Sequence, residues 1–103
     1  MNRYKIHEDR TVDSDYVTAR CKRLLQNHLF YCCEKQAMHT IFMFLSQRGI
    51  PFNLQYKSTA KIYKMTISIH TGGNNRTTFE GQNKEPHVAC SLALMLAAEF
   101  TGA

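Results

Sequence analysis

Apolar and polar positions recur with two different periods along this chain, and the change of period divides it into helices and strands. Val17, Cys21, Leu24, Leu25, His28, Leu29 and Cys32 recur at three- and four-residue spacing, with Arg20, Lys22, Arg23 and Gln26 between them. This predicts an amphipathic helix over residues 15–32, begun at Asp13-Ser14-Asp15, whose side-chain oxygens can cap free backbone N–H groups. A second helical pattern follows in Ala37, Ile41, Phe44 and Leu45, with Met38 and Phe42 beside them. It stops at Gly49, suited to a left-handed cap, with Pro51 just beyond. No strong breaker lies between Asn27 and Glu34, so residues 15–48 read as one bent helix or as two. The period then drops to two. Phe52, Leu54 and Tyr56 alternate with Asn53, Gln55 and Lys57, and Tyr63, Met65, Ile67 and Ile69 alternate with Lys64, Thr66, Ser68 and His70. Gly72-Gly73-Asn74-Asn75 reads as a hairpin turn, Arg76 to Glu80 as a third strand with Phe79 inward, and Pro86 as the start of a last helix ending near Gly102.

The expected fold is therefore α+β: one or two N-terminal helices, a three-stranded antiparallel sheet and a C-terminal helix, in the order α-α-β-β-β-α, forming a two-layer sandwich. Residues 1–12 carry little pattern and read as an extended or frayed arm, with a short edge strand an option for Arg3 to His7. The 103 residues suit a single domain. In the last helix Val88, Leu92, Met95 and Leu96 trace one side and Ala89, Ala93 and Phe100 a neighbouring one, while Cys90, Leu94 and Ala97 fall elsewhere. A helix lying on one sheet face needs only an apolar stripe. The surplus calls for a cover, either the first helix or a second copy, which makes Val88, Leu92, Leu94 and Met95 candidates for a protein or dimer interface.

Composition changes this picture in one respect. The hydrophobic content of 44% and charged content of 20% are ordinary for a globular protein. No apolar run reaches the roughly 18 residues of a membrane span, and MNRYKIHEDR lacks the apolar core of a signal peptide. A soluble cytoplasmic protein with free thiols is expected, and no membrane partner. The formal charge, however, is +5. No acidic residue stands between Glu34 and Glu80, whereas Arg48, Lys57, Lys61, Lys64 and Arg76 fall in that interval and Lys84 follows it. A one-sign field of this kind favours a nucleic acid or an acidic protein surface, and the six residues are the candidate contact. Its plain counterpart is a solvated basic face.

Other chemistry is thinner. His28 and Cys32 sit four apart on the first predicted helix, where thiolate and imidazole could share a zinc ion, but no second paired motif accompanies them. Cys90 and His87 lie three apart at a helix start, a place that can activate a thiol, yet within an apolar helix. No nucleotide fingerprint or carboxylate pair is present, so no catalysis and no cofactor are expected. Stacking of bases on the sheet has little to work with, because the alternation turns Phe52, Tyr56, Tyr63 and Phe79 toward the helices and leaves Tyr4, Tyr16 and Tyr31 as exposed aromatics.

Two resemblances bear on function. From Ala37 to Phe100, the segments FLSQRGIPFNLQY, YKMTISI and FEGQNKEPHVACSLALMLAA resemble the double-stranded-RNA-binding domain in order and wording. That family reads duplex RNA through a glutamate in its first helix, a Gly-Pro-x-His loop and a lysine cluster opening its second helix. The matching positions here hold Met43, the loop Lys57-Ser58-Thr59-Ala60-Lys61, and Asn83-Lys84-Glu85-Pro86-His87. The resemblance thus implies the fold rather than that mode of reading RNA. Glu85-Pro86-His87-Val88-Ala89-Cys90 followed by Leu92-Ala93-Leu94 is similar to small phage proteins described as an ABA sandwich domain. That resemblance implies an accessory product of a phage or mobile element that binds and inhibits a host nucleic-acid-handling complex, such as a CRISPR effector. Direct binding of double-stranded RNA or DNA is the alternative, and a homodimerisation module a further one.

Overall fold

The period-two and helical segments form the expected elements in a computed structural model that describes residues 2–7, 13–72 and 75–101, with side chains for 13–70 and 75–100. Strand β1 spans Asn2–His7, helix α1 Ser14–Leu25, helix α2 Gln36–Gln47, strands β2 Phe52–Lys57, β3 Ile62–Gly72 and β4 Asn75–Asn83, and helix α3 Pro86–Thr101. The class is α+β, and β2, β3 and β4 make the antiparallel sheet of the α-α-β-β-β-α order. The option of an edge strand near the N-terminus is realised, for β1 adds to β4 in parallel and the order across the sheet is β1-β4-β3-β2. Gly73, Asn74, Gly102 and residues 8–12 lie outside the described residues.

The first helix is shorter than its periodicity predicts, and the open question of one helix or two resolves to two. α1 starts where expected, with Asp13 Oδ1 accepting from the Tyr16 amide at 3.1 Å. It ends at Gln26, which takes a left-handed conformation (φ 56°) while its N–H donates to the Lys22 carbonyl at 2.7 Å. Asn27 Oδ1 then accepts from the Leu29 amide at 2.9 Å, starting a turn. The break lets the segment that follows fold back on α1. Phe30 and Cys32 become buried, and the Cys32 amide donates to Thr18 Oγ1 at 3.1 Å. Leu29, expected on the apolar face, is 90% exposed. α2 ends as its sequence predicts, at Gly49 with φ 65°.

α3 is the element on which the others pack. One side lies on β3 and β4, and the other takes α1 and α2. Cys21 Sγ donates to the Ser91 carbonyl at 3.3 Å, and the Tyr16 hydroxyl donates to Glu99 Oε1 at 2.8 Å, tying α1 along α3. The surplus apolar surface is therefore covered inside one chain. Val88, Leu92, Leu94 and Met95 are exposed by only 5, 1, 1 and 4% and offer no face to a second copy. This corrects their reading as an interface and removes the ground for a dimer built on α3.

The contact with the sheet is close because β4 places a glycine under the helix. A Cβ added at Gly81 would press on the Ala89 carbonyl oxygen and lie 2.7 Å from the Ala93 amide nitrogen and 2.9 Å from Leu92 Cβ. Two of these neighbours are helix backbone, which cannot turn away as a side chain would. Gly81→Ala is expected to cost about 3 kcal/mol or prevent folding. Gly49→Ala meets no neighbour and carries only the penalty of its positive φ, of order 1 kcal/mol. Urea midpoints of the two variants check this, and an unchanged midpoint for Gly81→Ala contradicts the contact.

Candidate functional site

The six basic residues singled out in the sequence do not form one surface. Lys57 and Lys61 frame the β2–β3 turn, and register brings Lys84 to the same end, since Tyr56 pairs with Tyr63, Tyr63 pairs with Asn83, and Lys84 is the next residue. Arg76 lies toward the opposite end, paired with His70. Arg48 closes α2, its guanidinium 4.0 Å over the Phe44 ring. Lys64 belongs to the outer sheet face, where its Nζ sits 3.9 Å from Glu80 Oε1.

Glu80 also changes the charge map. In the sequence it marks the far edge of an acid-free interval, but in the fold it stands in mid-sheet, opposite Thr66 of β3 and Lys5 of β1. It is 4% exposed, and its Oε2 accepts from Gln82 Nε2 at 2.6 Å. A carboxylate so placed offsets the positive field of the outer face. Pairing along both edges of β4 makes it an interior strand, and Thr78, Glu80 and Gln82 are buried on the face turned away from the helices. The outer face remains open over β2, at Asn53 and Gln55.

What gathers instead is a basic and aromatic end of the sheet. Tyr56 shares the helix-side face with Tyr63, as the alternation predicts, but the helices do not reach over it and it is 54% exposed. This corrects its placement among the buried aromatics. Its ring packs on that of Tyr63, centroids 4.9 Å apart and planes at 52°. The turn beside it closes with the Lys61 amide donating to the Lys57 carbonyl at 2.7 Å and with Lys61 in the left-handed region at φ 55°. Every residue from Tyr56 to Lys61 is exposed. Among the described residues the acid at this end is Glu85, whose Oε2 lies 3.3 Å from His87 Nε2. An aromatic face flanked by lysines offers stacking and phosphate contacts in one place.

The remaining candidates separate. His28 is exposed in a turn and Cys32 is buried, its thiol donating to the Ser14 carbonyl at 3.6 Å. The four-residue spacing put both on one helical face only if the helix ran to residue 32, and it stops at Leu25. Among the described residues, no group of three or more His, Cys, Asp or Glu is placed to hold a metal ion. Burial pushes the Cys90 thiol up to about 12 and Cys21 higher still, the reverse of activation, and Cys32 is raised chiefly by burial too. No described helix is long and apolar enough to cross a membrane. The chain matches no family model, no curated protein and no solved structure.

Cys33 alone among the four cysteines is exposed. A disulfide reagent at pH 8 is expected to titrate one thiol quickly in the native protein and the other three only on unfolding, with Cys33→Ser removing the fast phase. Two fast thiols would contradict the packing. The folded chain also keeps protons on Cys21 and Cys90 that the unfolded chain releases above the ordinary thiol value of 9.0. Their contribution to stability is thus full below pH 9 and declines above it, as denaturant midpoints across pH 8–11 would record.

Proposed function

We propose that this chain is a non-catalytic binding protein that grips a nucleic-acid strand at the β2–β3 end of its sheet, with Tyr56 stacking on a base and Lys57, Lys61 and Lys84 meeting phosphates. The observation that carries this reading is the exposure of Tyr56, at 54%, between lysines that have no carboxylate partner among the described residues. A tyrosine ring open to solvent beside lysines puts a stacking surface next to phosphate contacts. Lys61 adds support, because a lysine held at positive φ costs of order 1 kcal/mol that Gly or Asn would largely avoid. The buried, proton-retaining thiols of Cys21 and Cys90 favour a packing role over nucleophilic chemistry.

Inhibition of a host nucleic-acid-handling complex is the second reading, supported by the phage-like wording from Glu85 to Leu94. In that case the same lysines would occupy a path meant for nucleic acid, and the target surface would be acidic protein. The two readings part on free strands.

Fluorescence anisotropy with labelled twelve-nucleotide RNA and DNA, single-stranded and duplex, tests the first. Affinity for single strands is expected to fall with salt at a log–log slope of about −2, for three phosphates at about −0.7 each. Tyr56→Ala should weaken binding by about 1–3 kcal/mol. Lys61→Asn should weaken binding while stabilising the fold by up to about 1 kcal/mol, because Asn accepts the left-handed backbone. A flat response to every strand at low salt, or full affinity in Tyr56→Ala, would overturn the strand-binding reading.

A further inference from the structure

β3 is eleven residues long and β2 six. Phe52 pairs with Ile67, so Ile69 lies beyond the first β2 residue. The helices do not close the overhang either, because α1 has ended at Leu25 and α2 at Gln47. The result is a cavity of about 310 Å³ lined by residues that include Leu24, Leu45, Ile67, Ile69, Leu94 and Ala97. Its lining is apolar apart from one residue, Arg48.

Arg48 is not placed there as a plug. Its guanidinium carbon lies 4.0 Å from the centroid of the Phe44 ring, a cation–π contact. It forms no ion pair among the described residues. A guanidinium is a planar fork that matches a carboxylate through two parallel hydrogen bonds. An apolar hole with an exposed arginine at its rim is complementary to a molecule with an apolar body and one anionic end.

We propose that this cavity binds a small free carboxylate with a hydrocarbon tail, the tail lying against Ile67, Ile69 and Leu94 and the head on Arg48. At about 30 Å³ for each non-hydrogen atom, the volume one water takes in the liquid, the space holds about ten such atoms. Octanoate has that size. The site is at the far end of the sheet from Tyr56, so it stands or falls apart from strand binding.

The test is ¹³C-methyl NMR of the full chain titrated with octanoate, and in parallel with octan-1-ol, which has the tail without the charge. Octanoate is expected to shift the methyls of Ile50, Ile69 and Leu94 and to bind about tenfold tighter than the alcohol. Arg48→Gln, at an exposed position, should keep the wild-type spectrum elsewhere and bring the two ligands to equal affinity. Absence of shifts at those methyls with millimolar octanoate, shifts confined to another region, or equal affinity of acid and alcohol in the wild type would each overturn the proposal.

Discussion

Everything in this fold depends on how closely α3 can lie on β4. The approach is set at Gly81, where the sheet offers no Cβ and the helix answers with Ala89 and Ala93. A larger side chain on either partner would lift the helix off Met65, Ile67 and Phe79, all of them fully buried. Small residues at the contact bring helix backbone to sheet backbone, and the larger Leu92 and Leu94 are freed to fill space on either side. The same closeness leaves little room for water along the buried run from Val88 to Met95.

A helix seated so deeply must be apolar on its far side as well, because α1 and α2 cover it there. Its composition, which read in isolation as a surface waiting for a partner, is that of an internal helix. With that surface closed inside the chain, two exposed features stand at the two ends of the sheet. One carries Tyr56 and its lysines, and the other carries Arg48 above an apolar cavity. Both arise from a mismatch in length: the β2–β3 hairpin extends past the helices at one end, and β3 runs past β2 at the other. Charge follows the same division, since the mid-sheet lysine, Lys64, is met by Glu80 while those at the turn have no such partner among the described residues.

The elements were readable where local chemistry and burial agree. Strict alternation in FNLQY and YKMTISI gave β2 and β3 with the correct inward residues, and Asp13, Gly49 and Pro86 marked helix ends that the structure keeps. Reading failed where a boundary is set by distant contacts. Gln26 ends α1 with neither Gly nor Pro, because Phe30 and Cys32 gain burial by folding back, and no residue type announces that. Alternation told which face Tyr56 is on, but not that the helices stop short of it. It likewise could not show Glu80 as a buried interior carboxylate, since that depends on β1 pairing from the other end of the chain. Linear spacing therefore located the lysines of the turn and misplaced Lys64 and Arg76, which only the register separates, and Arg48, which closes α2.

Amide hydrogen exchange tests the central claim, that α3 is an internal helix held between the sheet and α1 with α2. The amides from Ser91 to Ala97 are then the slowest in the protein, exchanging only through global unfolding, while those of the edge strand β2 and of α1 open locally and faster. Exchange of α3 at the rate of β2, in a chain whose other elements remain protected, would show that its far side is open and would contradict the account.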